Sequence, residues 1–225
     1  MMRDKGNFLE LIDQLQNSIQ KFKKAMTSGE AKPDRFDDLK SAIFESYLDI
    51  AQAHYSNGAD KADVQQAVLD CISAFEDSFQ YVSGFGQYDE MIWLVSLAVL
   101  CDIDHESFKR ITDVLKRDRA NDVLLSLIIR SKDTTWQESN AQPLQKHPYA
   151  KAVNLNTSQD IKNYLDKVWY QGHSDAAWHD THKNTKVNCY SGYWAWEAAA
   201  IAKVKGIDDA TLKNQKYYPF DAVHW

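Results

Sequence analysis

The sequence predicts an all-α fold, an irregular multi-helix bundle with an N-terminal helical array packed on a C-terminal helical subdomain. Three observations carry that prediction. Apolar residues recur three and four positions apart in one segment after another, the signature of a helical stripe. No alternating run of β-branched residues bounded by turn dipeptides occurs, so strand signals are nearly absent. Residues 190–204 carry only Ser191, Glu197 and Lys203 as strongly polar side chains, with alanines at 195, 198, 199, 200 and 202. Alanine favours helix, and a helix that is apolar around most of its circumference is buried, which makes residues 192–204 the expected central helix.

In chain order, apolar residues at 8, 11, 12, 15, 19, 22 and 26 define the first helix, which Gly29 and Pro33 end. Asp34 is placed to cap a second helix running to about Tyr55, with Phe36, Leu39, Ile43, Phe44, Tyr47, Leu48 and Ala51 inward, until Asn57-Gly58 stops it. Asp60 caps a third, whose stripe is Val64, Val68, Leu69, Ile72, Phe75 and Phe79, and Gly84 and Gly86 bracket the loop after it. A fourth is expected over residues 87–101, a fifth over 105–117 and a sixth over 122–131. These make an N-terminal array over residues 1–131, and the Thr-, Asn- and Pro-containing stretch 132–148 marks the boundary with a C-terminal subdomain over 132–225, the two sharing one continuous core. The lone Trp136 in that stretch implies a docked loop rather than a free linker. Helical spacing resumes at 149–153 and, after a cap at Thr157 or Ser158, at Ile161, Tyr164, Leu165, Val168 and Trp169, with Gly172 as terminator. A polar loop then leads to the central helix, where Gly206 is the left-handed cap and Asp208 caps a short turn before Pro219 stiffens the tail.

With 225 residues and 44% hydrophobic content, the chain can bury a sizeable core. Its net charge of -6 argues against a general nucleic-acid binder and permits a basic protein partner. Cys71, Cys101 and Cys189 suggest neither a disulfide framework nor a paired-cysteine zinc site, and a reducing cytoplasm is the natural reading. The first residues, charged at Arg3, Asp4, Lys5, Glu10 and Asp13, lack the apolar core of a signal peptide. The longest strongly apolar stretch, residues 91–100, is about half of what a membrane span needs.

The most enzyme-like feature is the loop holding His173, Asp175, His179, Asp180 and His182, since imidazoles and carboxylates together bind zinc or shuttle protons. Its spacing matches no helical metal motif, so the favoured reading is structural, with Trp178 packed beneath the central helix. Glu197, a lone carboxylate among Trp194, Trp196, Ala200 and Ile201, could act as a general acid or be held by a tyrosine hydroxyl, a basic side chain or a histidine. The second role is favoured because no second carboxylate or nucleophile stands at a matching helical spacing. No catalytic, metal or cofactor residues are therefore assigned. Charge distribution says more: residues 41–108 contain twelve acidic side chains and a single basic one, Lys61, which implies an acidic surface. Asp49, Asp63, Asp70, Asp89, Glu90, Asp102, Asp104 and Glu106 are the candidates for meeting a basic partner, with Asp89 and Glu90 expected at the exposed N-terminal end of the fourth helix.

A resemblance gives the partner a chemical class. The run Gly192, Tyr193, Trp194, Ala195, Trp196, Glu197 and its three alanines, then Gly206-Ile207-Asp208-Asp209, then Tyr217-Tyr218-Pro219-Phe220-Asp221, resembles the C-terminal pattern of the PoNi family of immunity proteins. Tyr55-Ser56-Asn57-Gly58 and residues 88–101 resemble its upstream patterns, so the likeness runs from about Tyr47 onward. The resemblance implies a non-catalytic protein that binds and neutralises a cognate PoNe-type secreted DNase toxin in interbacterial competition through type VI secretion, with no cofactor and no direct contact with nucleic acid. The rivals from other classes are a metal-dependent hydrolase using the 173–182 loop, and a helical scaffold.

Overall fold

The structure, a computed structural model, describes residues 5–78, 80–81 and 84–225. Arg3, Asp4 and Phe79, placed above by spacing and charge, lie outside the described residues. Among those described, every regular element is helical, as the spacing requires. The chain forms two compact units, one of residues 1–80 and 180–192, the other of residues 81–179 and 193–225.

The first unit contains α1 (Lys5–Ser28), α2 (Phe36–Asn57) and α3 (Lys61–Ser78), with α2 packed on both neighbours. Phe8, Leu11, Ile12 and Ile19 of α1 are buried, with Ile43, Phe44 and Leu48 of α2 and Val64, Val68, Ile72 and Phe75 of α3. Ends form where local chemistry puts them: Gly58 adopts a left-handed φ of 82° that closes α2, a conformation glycine adopts without the Cβ penalty. Asp60 Oδ1 accepts from the Asp63 amide at 3.1 Å and starts α3. Asp34, expected to cap α2, instead lies in a 3₁₀ turn at Pro33–Arg35, and α2 begins at Phe36 without a side-chain cap. Segment 180–192 returns to this unit, where Asn188 Nδ2 donates to the Asn7 carbonyl at 2.7 Å and the Ser56 hydroxyl donates to the Ser191 carbonyl at 2.6 Å.

In the second unit α4 (Phe85–Leu100) is buried on every side from Met91 to its end, which is why its sequence shows no polar face. α5 (His105–Arg117) is capped by Asp104 and α6 (Val123–Ile129) by Asp122, whose side chains accept from Ser107 and Leu125 amides. The stretch 132–148 runs within this unit, anchored by Trp136, whose indole nitrogen donates to Ser126 Oγ at 3.0 Å and Asn121 Oδ1 at 3.1 Å. α7 (Tyr149–Ala152) follows, then α8 (Ser158–Tyr164), entered through a capping box of Thr157 and Asp160. α8 continues through a π turn at Leu165–Trp169 into α9 (Tyr170–Gly172).

The central helix, α10 (Trp196–Lys205), packs on α4 and α6. It starts four residues later than expected: Gly192 has φ 117°, Ala195 is non-helical, and the Ala195 amide donates to the Tyr217 carbonyl at 2.9 Å, tying this approach to the C-terminal strap. Gly206, at φ 64°, closes the helix as expected. Asp208 Oδ1 accepts from the Ala210 amide at 3.2 Å at the start of the 3₁₀ turn Ala210–Leu212, and the chain ends in α11 (Phe220–Val223).

Candidate functional site

The acidic residues expected at a partner surface divide into exposed and internal ones. On α3, Asp63 and Asp70 are exposed, and Asp77 joins them at the same seven-residue interval. Seven residues advance an α-helix about 700°, only some 20° short of two turns, so the three carboxylates form one stripe. Asp70 and Asp77 also border a groove of about 340 Å³ that Lys23, Met26, Lys40, Ile43 and Tyr47 help to line. In the second unit Asp102, Asp104 and Glu106 are exposed, and Glu90 is half-buried. Lys132 pairs with Asp102, and Asp104 is occupied as the α5 cap, its amide hydrogen bonds holding its carboxyl below the usual carboxylate range.

Asp89 and Asp49 correct the surface expectation. Asp89 is 1% exposed: the Tyr149 hydroxyl donates to its Oδ1 and the Trp178 indole to its Oδ2, the latter at 2.9 Å. A carboxyl in the second turn of this apolar helix is internal because two donors from distant segments meet it. Asp49 is half-buried and accepts from the Ser191 hydroxyl at 2.8 Å. Enclosure of its carboxyl pushes the pKa up to about 6, Ser191 opposing and Glu45 adding to the shift.

The histidine loop disperses its chemistry. His173 is fully buried, its Nδ1 2.6 Å from the Trp169 carbonyl oxygen and its Nε2 3.2 Å from the Tyr149 hydroxyl. His179 lies on the Tyr170 ring, centroids 4.1 Å apart, and Asp175 is exposed. In the first unit His182 meets the Tyr190 ring edge-on and Asp180 pairs with Lys183 at 2.7 Å. Among the described residues no group of three or more His, Cys, Asp or Glu side chains is disposed to hold a metal ion. Trp178 packs on Trp93, Trp169 and Tyr193.

Glu197 is fully buried on α10, its Oε1 accepting from the Tyr164 hydroxyl at 2.9 Å, and its Oε2 has no hydrogen-bond partner. Burial pushes its pKa up to about 7, with positive charge at His173 the largest opposing influence. A tyrosine therefore holds this carboxyl, one of the partners its burial called for. Of the other residues in the C-terminal pattern, Trp196 is fully buried, Tyr193, Tyr218 and Pro219 are buried, and Trp194 is only half-buried. Tyr218 donates to Asp209 Oδ2 at 2.8 Å, and His224 Nε2 stands 2.9 Å from Asp209 Oδ1.

Two polar hubs escaped the sequence reading. Asp122 caps α6 and also accepts from the Tyr88 hydroxyl at 2.6 Å and the Leu144 amide at 2.7 Å. Tyr149 bridges Asp89 and His173. A carboxylate at the start of an uninterrupted apolar run, directly before it at Asp122 and one residue earlier at Asp89, was the available signal, because such a group is drawn inside and must find donors.

No described helix is long and apolar enough to cross a membrane. In sequence, the chain is similar to the FACT complex subunit POB3 of Saccharomyces cerevisiae (strain ATCC 204508 / S288c), 26% identical over 159 residues. That match takes in 65% of this chain but only 28% of the yeast protein, so the chain spans little more than a quarter of that relative. In structure, it is similar to protein PA2201 from Pseudomonas aeruginosa with a TM-score of 0.73 and 17% identity, over 99% of this chain and 88% of that one, a likeness of fold alone. Two family profiles match in series, PoNe immunity protein (PoNi), N-terminal, over residues 2–113, and PoNe immunity proteins (PoNi), C-terminal, over residues 120–222. The match thus reaches into α1, upstream of the likeness visible from about Tyr47. Covering both halves in order, it places the chain in the PoNi family of PoNe immunity proteins.

Proposed function

We propose that this protein acts in the cytoplasm by binding a cognate PoNe-like DNase toxin and neutralising it without catalysis, so that a cell using the toxin against competitors is spared. The observation that carries this reading is the pair of family profiles in series over residues 2–113 and 120–222. The exposed carboxylates fit it. A nuclease that grips phosphates presents a basic surface, and an acidic protein can occupy that surface as a polyanion mimic. Asp63, Asp70 and Glu106 are exposed and fit that role, as do the exposed Asp102, which pairs with Lys132, and Asp104, which caps α5. Asp49 and Asp89 act instead by holding the fold.

Co-expression with a PoNe-like toxin sought among the neighbouring genes tests the proposal. Cells expressing the toxin are expected to survive only when this protein is co-expressed, with a stoichiometric complex on size exclusion and loss of DNA cleavage by the purified toxin at equimolar inhibitor. Protection without a complex would overturn the direct-inhibitor reading, and a cognate toxin that does not cut DNA would overturn the DNase assignment.

A further inference from the structure

In the first unit α2 lies between α1 and α3, and the three helices together line the groove of about 340 Å³. Its depth is apolar: Ile43 and Ala74 are buried there, and Met26 and Tyr47 half-buried. Its charges are sorted by helix. The α3 rim carries Asp70 and Asp77, both exposed, with Ser73 between them, whereas the cations come from the other two helices, Lys23 from α1 and Lys40 from α2. Lys23 Nζ donates to the Tyr47 hydroxyl at 3.1 Å, and Asp70 Oδ1 accepts from the Gln66 side-chain amide at 3.2 Å. None of the four comes within ion-pair distance of another, so the opposite signs are held apart with apolar surface between them. Lys40, Ile43 and Tyr47 are spaced by three and four residues, as are Asp70, Ala74 and Asp77, and the groove therefore follows its helices for two turns, about 10 Å.

A small ligand of one sign does not match this lining, because half of its charges would oppose it. An amphipathic helix does match. Apolar side chains three and four residues apart fill the depth, a basic flank meets Asp70 and Asp77, and an acidic flank meets Lys23 and Lys40, the sorting by which paired helices choose partner and direction. We propose, resting on the immunity reading above, that this groove receives an amphipathic helix of the cognate toxin, its basic flank on α3 and its acidic flank towards α1 and α2. The groove then differs in role from the exposed carboxylates as a whole. With two charges of each sign its own field nearly cancels at a distance, so it adds little to steering. Once the helix is seated, its apolar side chains and paired flanks must all be withdrawn before the partners separate, so the groove governs how long the complex lasts.

Dissociation kinetics of the full chain from the toxin it protects against test this. Asp70→Lys and Asp77→Lys combined with Lys23→Glu and Lys40→Glu exchange the signs across the groove and leave the formal net charge at -6, while setting like charges against both flanks of the toxin helix. Ser73→Trp fills the groove from its exposed rim and changes no charge. Each variant should dissociate at least about tenfold faster, with association slowed by less than about threefold. Should the fourfold variant fail to fold, Ser73→Trp decides alone. Dissociation of a folded variant within about twofold of the unsubstituted protein overturns the proposal. So does a dimer of the free protein that the sign exchange takes apart, which would make a second copy of this chain the occupant. A toxin that forms no complex with the unsubstituted protein would remove the inhibitor reading and the groove together, whereas unaltered dissociation of the variants removes the groove alone.

Discussion

Glu197 has two carboxyl oxygens and one hydrogen bond, and burial has pushed its pKa from 4.5 up to about 7. Between those two values the folded chain binds more protons at this carboxyl than the unfolded chain, so the contribution of Glu197 to stability is greatest below about pH 4.5, falls as pH rises to about 7, and changes no further above it. Asp49, raised from 3.8 to about 6, acts with the same sign in its own lower window. Glu197→Gln cannot ionise, so its stability relative to the unsubstituted protein should improve by on the order of 3 kcal/mol between pH 4 and pH 8. Taking the change between two pH values cancels the cost of the amide nitrogen left unpaired at either. Denaturant titrations at both pH values measure it, and a constant difference would mean that the carboxyl is solvated. Asp49→Asn should flatten the curve between about pH 4 and 6 in the same experiment.

At the level of helices, α10 separates two tryptophans two residues apart, both expected inside the buried central helix. Trp196 is 0% exposed, whereas Trp194 precedes the helix and is half-buried. Trp196→Ala should therefore cost about 3–5 kcal/mol and Trp194→Ala clearly less, read from thermal melts. Gly206 offers a cleaner test of backbone alone, because a Cβ there would meet nothing within 4 Å while φ stays at +64°. Gly206→Ala should cost about 1 kcal/mol through the left-handed conformation itself. Helix existence was legible because a stripe of period 3.6 and a glycine stop are both local: Ile43, Phe44 and Leu48 are buried as spaced, and Gly58 and Gly206 close their helices. The start of α10 was not legible, since Tyr193, Trp194 and Ala195 have helix-compatible side chains, while Ala195 is held out of the helix by the distant Tyr217 carbonyl. For the same reason Asp89 read as a surface charge: its partners Tyr149 and Trp178 lie 60 and 89 residues away, and no periodicity reports them.

Across the whole molecule, the decisive question is whether negative charge acts by its amount or by its place. Reversing Asp102, Asp104 and Glu106 together would confuse the two, because Asp104 caps α5 and Asp102 holds Lys132, so a folding defect could pass for lost contact. The α3 stripe is better suited. Asp63, Asp70 and Asp77 are exposed, and none forms an ion pair among the described residues. They span about 21 Å at 1.5 Å per residue, a length over which a row of carboxylates can stand in for successive phosphates. Changing all three to Lys adds six charges and takes the formal net charge from -6 to zero. Changing the exposed Asp175, Asp208 and Asp221 to Lys does the same to the total at different places. If a basic toxin is steered to α3, the first variant should associate at least tenfold more slowly at low salt and lose most of its dependence on ionic strength, while the second keeps most of both. Stopped-flow association across a salt series reads this directly. Equal slowing of the two variants would assign the effect to net charge alone, and rates indifferent to salt in the unsubstituted protein would remove the polyanion mimic while leaving membership of the immunity family untouched.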